Sequence, residues 1–286
     1  WAAKVSGAEF GTHYCALSTD GQAYCWGQGG DGKLGDGSTG NNFTPTLVTG
    51  LKNLVDVVAC RNHSCAIDKD GKAYCWGNNS YGELGGGTTG SDATKPAPVK
   101  VVTDATKLVC GERYTCALRK GGTVTCFGYG YFGRLGSGST SSSPKPAGVS
   151  VVTTGTTPLA GVVDLHASDD HACALTKDGK TYCWGENYDR QLLNTPITRL
   201  YRATLKPEAA NASAINGGGD TVCWASKGKV WCTGDNDNGQ LGKVGPDSGV
   251  PVDTGLTGVL DFAGGGDHHV AVSSSGKLWV VGDNDN

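Results

Sequence analysis

The chain has no methionine among its 286 residues and no run of 18 apolar residues. The second absence excludes a transmembrane helix. Its 24 basic residues stand against 27 acidic ones, a formal charge of −3, and gather into no cluster. A nucleic-acid footprint needs a basic face, so none is expected. No window keeps helical periodicity for three turns, and 47 glycines suit a turn-rich all-β chain. There is no H-E-x-x-H, no G-x-S-x-G, and no Ser or Cys beside a uniquely placed His. The chain therefore reads as a non-enzyme without cofactor or metal. Beginning at Trp1 and lacking Met, it also reads as a mature or trimmed chain whose signal peptide, if any, is gone.

What is present is a repeat. "HYCALSTDGQAYCWG" at His13 returns as "HSCAIDKDGKAYCWG" at His63, "YTCALRKGGTVTCFG" at Tyr114 and "HACALTKDGKTYCWG" at His171. Looser copies start at Thr221 and His268. Six copies at a period of roughly 50 residues indicate a propeller or solenoid. Each copy alternates apolar and polar residues around a glycine turn, which predicts a β-hairpin. In the first, a three-residue loop (Thr19-Asp20-Gly21) sets Ser18 opposite Gln22 and hence Cys15 opposite Cys25.

The irregular copies support that register. The fifth has only Lys227-Gly228 in its loop, and its cysteines close to nine residues apart, so Cys223 still faces Cys232. In the sixth both cysteines become valine together, Val270 and Val280. Five cross-strand disulfides are predicted: Cys15–Cys25, Cys65–Cys75, Cys116–Cys126, Cys173–Cys183 and Cys223–Cys232. Cys60 and Cys110 remain, at nearly the same place in consecutive repeats; they form either a sixth, inter-blade disulfide or two buried thiols.

Between hairpins a short tag recurs: "GKLG" at Gly32, "GELG" at Gly82, "GRLG" at Gly133, "GQLG" at Gly239, decayed to "RQLL" at Arg190. A Pro-led extended run and a buried-looking strand follow, giving about four strands per repeat, one propeller blade. "DGxxYCWGxNxxGxLGxG" followed by a "GxxHxCAL"-like strand resembles the regulator of chromosome condensation repeat, in a superfamily that includes β-lactamase inhibitor protein II. The resemblance implies a ring of four-stranded antiparallel blades around a tunnel, commonly seven. Residues 1–286 are expected to form one propeller domain. Six hairpins but five Pro-led segments imply either an imperfectly closed six-bladed ring or part of a longer protein.

"GQGGDG" at Gly27 and "GYGYFG" at Gly128 match G-x-G-x-x-G but open no helix, so they read as the repeat's own turn. "DNDNG" at Asp235 lacks the distant Glu of a calcium loop and reads as a turn. His13, His63, His171 and His268 recur at one position, which favours packing over catalysis. Asp169 and Asp170 read as a solvated turn.

Twelve cysteines, ten of them in paired hairpins, predict an oxidising compartment: secreted or cell-surface, with a periplasm serving as well. The expected function is a non-catalytic binding or structural module for a protein or glycan partner, or for a second copy. The alternative is an inhibitor of a secreted enzyme such as a β-lactamase. Candidate contacts are the turn residues Tyr81, Tyr129, Tyr131, Phe132, Arg134 and Tyr188, since aromatic rings and Arg anchor interfaces.

Overall fold

In the computed structural model, which describes residues 2–7 and 11–283, the chain forms six antiparallel sheets, each from consecutive strands. The first blade comprises Ala2–Gly7, His13–Ser18, Ala23–Gly27 and Asn42–Leu47. The second comprises Leu54–Ala59, His63–Asp68, Ala73–Gly77 and Ala93–Pro98. Ala105–Cys110, Tyr114–Arg119, Val124–Gly128 and Lys145–Ser150 make the third. The fourth uses Val162–Ala167, His171–Thr176, Thr181–Glu186 and Arg199–Leu205. The fifth uses Ala214–Gly218, Thr221–Ser226, Lys229–Gly234 and Ser248–Thr257. The sixth has three strands among the described residues: Val259–Gly264, His268–Ser273 and Leu278–Gly282. Five blades thus have the expected four strands, and the six hairpins with five Pro-led segments account for the three described strands of the sixth. The described helices are three 3-10 turns of three residues each.

The hairpin turns set the register as their sequences require. Ser18 N donates to Gln22 O at 2.8 Å, and Gly21 takes φ 76°, the left-handed conformation a three-residue loop needs. In the fifth blade Lys227 and Gly228 both have positive φ, 52° and 75°, and Ser226 pairs with Lys229. Both registers bring the cysteines opposite, and all five hairpin disulfides form with Cα atoms 4.1 Å apart. Cys60 and Cys110 are also bonded, at 5.7 Å between Cα atoms, and tie the second blade to the third.

Five apolar clusters fill the five junctions between consecutive blades. Each junction has two unlike faces. The earlier blade offers its disulfide and the Leu of its tag; in the first three junctions the later one offers an inner-strand aliphatic residue and the aromatic residue after its second cysteine. In the first junction Cys15, Cys25 and Leu34 thus meet Val57 and Trp76. The tag does the docking. Trp76 Nε1 donates to Lys33 O at 2.9 Å, and Trp184 Nε1 to Arg134 O at 3.0 Å. The last glycine of the tag leaves room for the ring: a Cβ on Gly35, Gly85 or Gly136 would lie 2.7, 2.8 or 2.9 Å from Trp76, Phe127 or Trp184. These glycines also have φ between 60° and 71°, so any side chain is excluded twice. Where the tag decays to "RQLL", Leu193 replaces the glycine and the facing residue is the small Thr233, whose Oγ1 donates to Gln191 O at 2.8 Å. Lys206, buried where other blades carry Val48, Val99 or Val151, adds its ammonium to Gln191 O and Leu192 O at 3.0 and 3.1 Å.

Two of the recurring histidines, His13 and His63, are inter-blade staples. His13 Nε2 meets Ser64 Oγ at 2.7 Å, and His63 Nε2 meets Thr115 Oγ1 at 2.7 Å. Ser64 and Thr115 spend their protons on Lys33 O and Glu83 O, both at 2.9 Å, so the imidazoles donate. Buried serine beside histidine therefore has no proton to give up and no access for substrate, which excludes a nucleophilic role. In the last junction the direction reverses, and His269 rather than the exposed His268 reaches Thr221 Oγ1 at 3.0 Å.

Candidate functional site

The turns after the third strands of the second, third and fourth blades share one rim. There the structure brings together five rings that are spread over 108 residues of sequence. Tyr81 lies 4.5 Å from Tyr129 between centroids, Tyr129 stacks on Tyr131 at 5.6 Å, and Tyr131 meets Phe132 at 3.9 Å. Tyr188 meets Phe132 edge-on at 6.0 Å. Tyr131 and Tyr188 are the most open, 39% and 49% exposed. Phe132 has φ 56°, a conformation that costs a bulky residue about 1–3 kcal/mol.

Cations hold the row. Arg113 lies over Tyr81 at 5.2 Å, and Arg199 over Phe132 at 4.5 Å while donating to Tyr188 Oη at 2.8 Å. Arg134, expected on the exposed rim, lies beneath it, 2% exposed. Its guanidinium pairs with Asp170, approaches Glu112 to 4.0 Å and lies 5.6 Å from the Tyr129 ring. Its burial follows from its place in the tag, where Lys33, Glu83, Gln191 and Gln240 are also buried. Asp169 and Asp170 are accordingly not a solvated turn: Asp169 pairs with Arg61 at 2.6 Å and Asp170 with Arg134. Arg113 and Arg199 were not legible in the sequence, because Arg199 lies in the most irregular copy.

Carboxylates surround the base of this row. Burial raises Glu83 and Glu186 to about 7, with Asp220 adding its repulsion at Glu186. Burial and neighbouring aspartates raise Asp220 to about 6. Farther along, Asp235, Asp237 and Asp247 approach within 4.8 Å of one another. Asp235 accepts from Asp237 N and Gln240 Nε2, and Asp247 from Asn236 N, as turn-formers do.

The inner strands line a central cavity of about 330 Å³. Charges alternate there from blade to blade: Lys4 pairs with Asp56, and Lys107 with Asp164 at 2.5 Å. His166 also faces this cavity; burial first, then His171 and Lys107, keep it neutral. Paired charges and stacked rings are groups that can bind a partner.

The fold is shared with solved propellers. Human WBSCR16 superposes with TM-score 0.85 at 21% identity, over 99% of this chain and 77% of that one. Yeast RCC1 (Prp20), solved bound to Kap60, gives 0.79 at 22%, over 98% and 69%. The ectodomain of the Arabidopsis thaliana receptor kinase ACR4 gives 0.60 at 18%, over 100% and 82%. Two descriptions of the regulator of chromosome condensation (RCC1) repeat match the sequence, one at residues 20–67 and 70–118, the other at 54–83, 105–134 and 162–191. Together they take in just over half of the chain, which therefore belongs to the RCC1 repeat family.

Proposed function

We propose that this propeller is a secreted or cell-surface binding module that holds a protein partner through the aromatic rim of its second, third and fourth blades. One observation carries the reading: five rings from three turns converge where the other copies carry polar residues or glycine. Rigid aromatic groups on loops of a braced scaffold are what interface centres are made of. Six disulfides support the oxidising compartment. A propeller of this fold engaging a protein has a precedent in yeast RCC1 bound to Kap60.

The test is cross-linking capture from a native extracellular fraction, with the wild type against a variant in which Tyr129, Tyr131 and Phe132 are all alanine. The variant should lose the partner, with affinity weakened by at least about 2 kcal/mol. Equal affinity of the two proteins for the captured partner overturns the rim as the contact. Recovery of polysaccharide instead of protein moves the reading to a glycan.

A further inference from the structure

The aromatic row of the rim runs into a field of one sign. The turns after the third strands of the fourth and fifth blades, residues 186–198 and 235–247, carry Glu186, Asp189, Asp235, Asp237 and Asp247 against two bases, Arg190 and Lys243. Asp220 joins them: Asp189 and Asp235 repel it, and it repels Glu186. Asp235, Asp247 and Asp237 repel Asp189 in the same way. The repeat itself does not ask for acids here. The residue that opens the turn is Gln28, Asn78 and Tyr129 in the first three copies, then Glu186 and Asp235. One of these carboxylates is buried without a partner. Glu186 is 9% exposed, and Arg199 stands opposite it in the sheet register. That guanidinium turns instead to the rings, over Phe132 at 4.5 Å and Tyr188 at 5.8 Å, and Glu186 is left with no hydrogen bond or ion pair among the described residues. A carboxylate taken out of water in this way is stabilised by an incoming cation.

Tyr188 belongs to both features. It meets Phe132 edge-on, and with Asp189, Arg190, Pro246 and Asp247 it lines a groove of about 280 Å³ between the fourth- and fifth-blade turns. A ring beside two carboxylates is a setting that holds a guanidinium or an ammonium group. The rings of the row already take such groups from within the chain, Arg113 over Tyr81 and Arg199 over Phe132. From this juxtaposition we infer that the partner at the rim is a protein with an exposed basic segment, one Arg or Lys of which enters the groove between Tyr188 and Asp247. The inference rests on the rim reading above and adds the chemistry of the partner. The same field repels a phosphate-bearing surface, whether nucleic acid or anionic lipid.

The probe is a fluorescein-labelled Arg-Ser repeat peptide, read by anisotropy at about 150 mM salt. The wild type should bind it, and a Glu-Ser repeat of the same length should stay free. Asp189→Asn, Asp220→Asn and Asp247→Asn are then combined; asparagine keeps an acceptor oxygen at each site, so the turns hold. This variant should bind the Arg-Ser peptide at least about tenfold more weakly. Tyr188→Ala, which keeps every charge, should weaken it as well and decides the matter if the triple variant unfolds. A control combines Asp20→Asn, Asp70→Asn and Asp178→Asn, in the hairpin turns at the opposite end of the blades, and should bind as the wild type does. An unbound wild type, a groove variant that binds as tightly, or an equal loss in the control overturns the inference. Calcium that raises the Tm of the wild type but not of the triple variant also overturns it, and assigns the carboxylates to a metal ion. The protein captured through the rim separates this inference from the reading beneath it. If its affinity survives the three asparagines but not the loss of Tyr129, Tyr131 and Phe132, the rim stands and the basic segment falls.

Discussion

His13 Nε2 donates to Ser64 Oγ across the first blade junction at 2.7 Å, with both side chains fully buried. Ser64→Ala leaves that N–H without a partner, a loss of about 1–3 kcal/mol. Thermal unfolding should show it as a lower Tm. His171 supplies the converse. In the next blade its counterpart of Ser64 is Val222, and neither of its ring nitrogens reaches a side-chain partner. Val222→Thr is therefore expected to raise Tm; an unchanged or lower Tm would mean that the staple geometry differs at this junction.

The same burial gives a pH signature. His13 and His63 are lowered to about 3, and His171 and His269 to about 4, from 6.5. From pH 6.5 down to those values the unfolded chain binds more protons, so these groups lose stability as pH falls. Glu83 and Glu186, raised to about 7, and Asp220, raised to about 6, bind more protons when folded and lose stability as pH rises through that range. The two sets oppose each other between about pH 4.5 and 6.5. Below pH 4.5, the ordinary value of Glu, the two glutamates no longer oppose the imidazoles, and Asp220 ceases to below 3.8. Tm should change little from pH 6.5 to 5 and fall steeply below 4.5. A Tm that climbs on acidification to pH 3.5 would contradict neutral buried imidazoles.

Reduction should proceed unevenly. The five hairpin disulfides are at most 1% exposed, whereas Cys110 is half-buried and lines the central cavity. Mild reductant under native conditions is expected to open Cys60–Cys110 first, read by alkylation and mass mapping. That bridge closes a 50-residue separation, so the chain-entropy loss is about 4 kcal/mol, against about 2–3 kcal/mol for a hairpin. Hairpin thiols appearing first would show that access through the cavity does not control reduction.

Phe132 lets stability and binding be separated. Asp31, at the same position of the first copy, has φ 60° without a ring. Phe132→Asn should keep stability within about 1 kcal/mol, because relief of the left-handed backbone offsets lost contact with Arg199. Affinity for a rim partner should still fall. A drop in Tm of many degrees would show the ring to be packing.

How far the molecule was legible depended on which residues obey the repeat. Register, disulfides and hairpins follow from loop length and spacing, so Cys223–Cys232 could be read off despite its shift. The rim rings stood out because they depart from the turn consensus. Arg134 misled because a position held by Lys, Glu, Arg or Gln looks solvent-facing. The long side chain instead folds over its own turn, as when Glu83 Oε2 accepts from Tyr81 N at 2.7 Å and Gln240 Oε1 from Asn238 N at 2.9 Å. Arg113 and Arg199 act from outside the repeated turn, so no internal comparison flags them. The pairing of Asp169 with Arg61, 108 residues earlier, exists only once the blades are arranged around the cavity.

The Cys60–Cys110 bridge also sets how the chain answers to force. Pulled from its two ends, a row of blades can peel one at a time, each lengthening the strand between the handles. The hairpin bridges withhold about ten residues apiece, near 35 Å of extension. The bridge between the second and third blades withholds 50 residues at once, roughly 170 Å, including the whole hairpin held by Cys65–Cys75. Oxidised protein should therefore show a shorter sawtooth than reduced protein, with the second hairpin never entering the load path.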